Sequence, residues 1–179
     1  MLPDDILAAA EAVLVANRAI GRRIATAESC TGGLVAGALT TIAGSSDVVE
    51  AGFVTYSNAA KTQLLAVDPA IFAAHGAVSR ECALAMAAGA LQHCAADVAV
   101  AITGVAGPGG GSPDKPVGLV VFARALRSAN PQPHHVQRIF FQSTDRSAIR
   151  AAAVRHALTL LQPAGDALGR LADAAARVP

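Results

Sequence analysis

From residue 4 to residue 20 the apolar side chains Ile6, Ala10, Val13, Leu14 and Ile20 recur at helical spacing with polar residues between them, the pattern of an amphipathic helix that covers a sheet face. The pattern then changes: Arg-Arg-Ile-Ala-Thr-Ala-Glu at 22–28 reads as a short strand that runs into Ser29-Cys30-Thr31-Gly32-Gly33, with a helix predicted from about Thr31 to Thr41. Residues 50–56 have strand character, and a short helix over Asn58–Leu65 is expected to stop before Asp68-Pro69. Ser79 is placed to cap a long helix reaching about Ala95, with Glu81 in its first turn, where a carboxylate suits the helix dipole. Asp97–Thr103 is a continuous apolar run of the kind buried on both faces of a sheet.

Residues 104–116 are too rich in Gly and Pro for regular structure. Val117–Leu126 and Val136–Phe141 read as antiparallel strands joined by the loop Asn130-Pro-Gln-Pro-His134, followed by a helix over Asp145–Leu161. Beyond Pro163 and Gly165, the spacing of Leu168, Leu171, Ala175 and Val178 predicts a short extra helix. Strands alternating with helices, plus one hairpin, give an α/β fold: a three-layer α/β/α sandwich with a mixed, mostly parallel sheet of about five or six strands. The expected division is a single domain over 1–162 and a short helical extension over 163–179.

Composition narrows the class. Of 179 residues 53% are hydrophobic, 3% aromatic and 43 are Ala, so the core must be built from small, closely packed side chains. A net charge of +1, no Trp and a single Tyr offer neither a field for nucleic acid nor a surface on which to stack bases. No stretch approaches the roughly 18 uninterrupted apolar residues of a membrane span, and Asp4, Asp5 and Glu11 stand where a signal peptide would carry basic residues. Three cysteines, with neither CxxC nor zinc spacing, suit a reduced cytoplasmic compartment. Histidines 75, 93, 134, 135 and 156 are scattered without ligand spacing, so no metal site is expected. The Ala-rich faces suit a homodimer or larger homo-oligomer.

Three segments could carry chemistry. In Thr26-Ala-Glu-Ser29-Cys30-Thr31-Gly32-Gly33 a small nucleophile stands at a strand-to-helix turn, at the sheet edge where open α/β folds bind ligands. The helix end after it would offer N–H groups of Cys30, Thr31, Gly32 and Gly33 to an oxyanion. The alternative is that Ser29 and Thr31 only cap that helix. Cys30 is a rival nucleophile whose other reading is a small buried core residue. In Phe53-Val-Thr-Tyr56-Ser-Asn-Ala-Ala-Lys61 a strand end and a helix start could aim Tyr56 and Lys61 at the same edge. There a desolvated Lys can act as a base; otherwise Lys61 is a solvated surface residue and Tyr56 a half-buried one. In Thr103-Gly104 through Lys115, successive glycine amides can form an anion nest, although the loop matches neither a Walker A nor a dinucleotide-binding pattern. Arg146 and Arg150, at the start of the last long helix, could hold a phosphate or cover a helix face.

Taken in order, Thr-Ala-Glu-Ser29-Cys-Thr-Gly-Gly33, Gly52-Phe-Val-Thr-Tyr56-Ser-Asn-x-x-Lys61, His75-Gly-Ala-Val-Ser79, Thr103-Gly-Val-Ala-Gly-Pro108 with Lys115-Pro-Val-Gly118, and Asp145-Arg146-x-x-x-Arg150 resemble the CinA C-terminal-domain family from about residue 5 to residue 162. That family includes stand-alone nicotinamide-nucleotide amidohydrolases. The resemblance implies a cytosolic Ser/Lys hydrolase that converts nicotinamide mononucleotide to nicotinate mononucleotide and ammonia, with no metal or organic cofactor. Carried over by motif, Ser29 is the nucleophile and Lys61 its base. Tyr56 would bond to or orient the dyad; Thr103, Gly104, Gly107 and Arg146 become candidates for ribose and phosphate contacts. Two other functions stay open: a non-catalytic nucleotide-binding or interaction module of the same fold, and hydrolysis of some other carboxamide.

Overall fold

The computed structural model describes residues 2–127 and 135–163. The expected helix beyond Pro163, and His134, lie outside the described residues. Five strands, β1 (Ile24–Glu28), β2 (Val49–Val54), β3 (Val98–Gly104), β4 (Leu119–Leu126) and β5 (His135–Phe140), form one sheet in the order β2-β1-β3-β4-β5. Around it lie α1 (Asp4–Ala19), α2 (Leu34–Thr40), α3 (Asn58–Leu65), α4 (Pro69–His75), α5 (Arg80–His93) and α6 (Arg146–Leu161). β1 pairs in parallel with β2 and β3, while β4 is antiparallel to both β3 and β5, so four of the five strands run one way and only β4 is reversed. The reversal follows from the chain: residues 105–118 contain no helix that could carry it back across the sheet, and parallel neighbours need such a crossover. Among the described residues no helix is long and apolar enough to cross a membrane.

The two faces of the sheet are packed differently. Strand side chains alternate, so Ile24, Val98, Val100, Ile102, Val120 and Phe122 face α1, α2 and α6, while Ala25, Ala27, Ala99, Ala101, Ala123 and Ala125 face α5. The first face gains stability through large side chains, each worth roughly 1.5–3 kcal/mol when fully buried. The second trades volume for proximity and brings α5 close against the strands. Gly89 extends that closeness to the next layer, since a Cβ there would lie 2.0 Å from the Leu65 carbonyl oxygen at the end of α3. α3 is thereby docked on α5, above the carboxyl ends of β1 and β2.

Two elements depart from the expectation. α2 begins at Leu34 rather than near Thr31, because Gly32 and Gly33 hold φ of +63° and +91° and cannot continue a right-handed helix. α4 was not expected at all. Asp68-Pro69 stops α3, but it also starts α4: Asp68 accepts from the Ala70 N–H at 2.8 Å and Pro69 takes the first helical position.

Candidate active site

The carboxyl ends of β1, β2 and β3 lie along one edge, and the hydrogen-bonded ladder grips the chain just past them. Ser29 N–H donates to the Ile102 carbonyl at 2.9 Å and Thr55 N–H to the Glu28 carbonyl at 2.8 Å. Alternation along β1 sends Ala25, Ala27 and then Ser29 toward the α3/α5 layer. On that side Ser57 caps α3 by accepting from Ala60 N–H at 3.0 Å, which sets the helix phase so that Lys61 and Leu65, one turn apart, are its two buried residues. Lys61 thus occupies a position that an apolar side chain would normally fill, and it is 1% exposed.

Its Nζ lies 3.1 Å from Ser29 Oγ, and it donates to the carbonyls of Thr55 (2.8 Å) and Tyr56 (3.3 Å). Two carbonyls can take two N–H bonds of a neutral amine and leave its lone pair directed at the serine hydroxyl. No carboxylate pairs with Lys61 among the described residues. Desolvation pushes its pKa below the ordinary lysine value, opposed only in part by the nearby Cys82 and Cys30 thiols. Burial alone accounts for this direction: the low-dielectric surroundings disfavour the ammonium.

The rival nucleophile is placed differently. Cys30 is 5% exposed, and burial pushes its thiol up to about 11; the N–H groups of Cys30 and Thr31 against its sulfur pull the other way without prevailing. A thiol so placed is protonated at neutral pH and is a poor nucleophile.

The turn after Ser29 is held by internal bonds. Gly32 N–H donates to the Ser29 carbonyl at 3.0 Å, and Gly33 N–H donates to a Glu28 carboxylate oxygen at 3.0 Å. Two of the four amides expected to receive an oxyanion are therefore committed to the turn itself. The N–H groups of Cys30 and Thr31 lie against the Cys30 sulfur and donate to no oxygen among the described residues. Neither Ser29 nor Thr31 caps α2: Gly33 is its N-cap residue and offers no side chain. The cap comes from Glu28, which is fully buried and accepts from Val35 N–H (3.1 Å) and Ala36 N–H (2.8 Å) as well. Sequence reasoning gives Glu28 no role, because it stands well ahead of the amides that it caps.

The remaining predicted residues separate into two groups. Arg146, at the start of α6, donates to the Gly107 carbonyl at 2.9 Å and to the Tyr56 hydroxyl at 3.0 Å, and so joins the glycine-rich loop, the β2–α3 turn and α6. Tyr56, a residue 62% exposed, meets Lys61 Nζ through its backbone carbonyl while its side chain turns to Arg146. Arg150, one turn on, donates to the Thr31 carbonyl at 2.8 Å and braces the nucleophile turn from outside. Thr103 is committed elsewhere, its buried hydroxyl donating to the Ala77 carbonyl at 2.8 Å. Gly104 faces β4: a Cβ would meet the Leu119 carbonyl oxygen at 2.8 Å. Among the described residues no group of His, Cys, Asp and Glu is arranged to hold a metal ion.

Comparison with known proteins identifies the family and the fold. The model of the CinA C-terminal domain matches residues 7–164. A CinA-like protein of Mycolicibacterium paratuberculosis is 54% identical over 149 residues, 83% of this chain and 34% of that protein. One from Mycobacterium avium is 64% identical over 110 residues, covering 62% of this chain and 25% of its own length. The chain thus spans about a third or less of these curated relatives. Among solved structures, the competence/damage inducible protein CihA from Agrobacterium tumefaciens superposes with a TM-score of 0.83 at 50% identity, covering 90% of this chain and 96% of that one. The competence damage-inducible protein A (ComA) from Klebsiella pneumoniae gives 0.82 at 38% identity, over 88% and 94%. In sequence and fold, the chain belongs to the CinA C-terminal domain family.

Proposed function

We propose that the chain is a serine amidohydrolase acting on the carboxamide of nicotinamide mononucleotide. The observation that carries the reading is the buried Lys61 amine 3.1 Å from Ser29 Oγ, without a carboxylate partner among the described residues. The neutral amine takes the hydroxyl proton as Oγ attacks the carboxamide carbon. The oxygen that becomes negative is received by the N–H groups of Cys30 and Thr31. Collapse of the tetrahedral intermediate breaks the C–N bond, and the Lys61 proton leaves with the amine as ammonia. A water molecule, deprotonated by Lys61, then attacks the acyl-serine, releases the nicotinate product and restores the Ser29 hydroxyl. Every proton transfer uses the one lysine, so no metal or organic cofactor is required.

Arg146 is assigned the phosphate. Its planar fork suits a bidentate contact, and its present partners, a carbonyl and a hydroxyl, are neutral groups that a phosphate can replace. The amides at the start of α2 are not available for this, because Glu28 already occupies them. The test is incubation with nicotinamide mononucleotide while ammonia and nicotinate mononucleotide are followed together. Release of both in equal amounts supports the reading. If neither appears while the nucleotide binds, the domain is a binding module; if only the unphosphorylated riboside or another carboxamide is hydrolysed, the substrate assignment fails and the chemistry stands.

A further inference from the structure

We infer that Glu28 is the positioning residue that aims the nucleophile, an inference that rests on the reading of Ser29 as that nucleophile. Glu28 and Ser29 are consecutive at the end of β1, where successive side chains point to opposite faces. Glu28 points into the α2 layer, and all four acceptor contacts of its carboxylate are made there. Oε1 takes Ala36 N–H at 2.8 Å and the Thr26 hydroxyl at 3.3 Å, and Oε2 takes Gly33 N–H at 3.0 Å and Val35 N–H at 3.1 Å. The side chain is fully buried and cannot touch substrate. What it does is mechanical: it fastens the last residue of the strand to the first turn of the helix that follows, so the intervening turn has little freedom. Because Glu28 is locked on one face, the serine beside it must emerge on the other, toward Lys61.

A glutamine fits the same space but has one acceptor oxygen instead of two; with its oxygen kept on Gly33 and Val35 N–H, its NH2 can donate to the Thr26 hydroxyl but faces the Ala36 N–H. The contact should loosen without emptying the site. The experiment compares the wild-type chain with Glu28→Gln and Thr26→Val, using the rate at which a small fluorophosphonate modifies Ser29 and the steady-state hydrolysis of nicotinamide mononucleotide. Both are run below the thermal midpoint measured for each variant. In Glu28→Gln, labelling and kcat should fall together by about 10- to 100-fold, while KM stays within about twofold and the pH midpoint of kcat/KM does not move. Thr26→Val, which removes one of the four contacts, should slow labelling about two- to fivefold. A folded Glu28→Gln labelled at the wild-type rate overturns the inference, and so does a loss accompanied by a shifted pH midpoint and a raised KM. If Glu28→Gln does not fold, Thr26→Val decides: labelling at the wild-type rate overturns the inference and slower labelling supports it. A wild-type chain that the probe does not label at Ser29 overturns the proposed chemistry and this inference together.

Discussion

Two buried ionisable side chains approach the Ser29 turn from opposite faces of the sheet, Glu28 from the α2 layer and Lys61 from the α3 layer. Glu28 is surrounded by donors: three backbone N–H groups at a helix start and a threonine hydroxyl. Such an arrangement compensates the loss of water and puts the negative charge where the helix dipole favours it. Lys61 is equally buried but meets two backbone carbonyls, one hydroxyl and two thiols. These acceptors orient the amine, and desolvation still holds its pKa below the ordinary lysine value. Donors face the one group and acceptors face the other. Burial alone therefore does not decide what an ionisable group can do; its surroundings matter as much.

That contrast can be broken most sharply at the dyad. Ser29→Ala should abolish nearly all turnover, and Lys61→Arg should lose roughly 10³-fold or more, because guanidinium keeps its proton and cannot act as a base. Retained activity in Lys61→Arg, read as kcat/KM, would remove the lysine from the mechanism. Next in size is Arg146→Ala, expected to raise KM for the mononucleotide by about 10- to 150-fold, the range of a charge-assisted bond, with little effect on the riboside. An equal loss on both substrates would make Arg146 structural.

A smaller effect is expected for Tyr56→Phe. Its hydroxyl bonds to Arg146 and not to the dyad, so KM should rise by about 2- to 10-fold with the pH profile unchanged. A moved pH midpoint would return Tyr56 to the proton pathway. The smallest belongs to Cys30→Ala, which should keep most activity, with alkylating reagents at neutral pH leaving the buried thiol of the wild-type chain untouched.

Much of this architecture was legible in the residues. The uninterrupted Val98–Ile102 run announced a central strand, and Ser79 marked the start of α5 to the residue, accepting from Cys82 N–H at 3.1 Å. Ser29 and Lys61 could be named as a pair only through the family motifs, since they are 32 positions apart and meet through the docking of α3 on α5. Three features were not legible for physical reasons. A Glu five to eight residues ahead of the amides it caps lies outside the local capping patterns, so Glu28 passed unremarked. The two glycines after Thr31 adopt positive φ, which consumes the amides that a regular helix start would have left free. The Tyr56 ring direction depends on Arg146, 90 residues away in sequence. Asp68-Pro69, by contrast, carried its signal openly and was taken only as a stop.

The central claim is that Lys61 is a neutral amine in the folded, unliganded protein. The decisive measurement is a direct titration of its Nζ, by NMR of a chain labelled at lysine, set beside the pH dependence of kcat/KM. An ordinary lysine titrates at about 10.4. Since the ammonium is the form that burial disfavours, the folded pKa lies below that value, and kcat/KM should climb as the proton is lost and level off once the amine is neutral. The account predicts that the NMR midpoint falls well below 10.4 and coincides with the kinetic one. A midpoint near 10.4 together with full activity at pH 7 would leave Ser29 without a base and would contradict it.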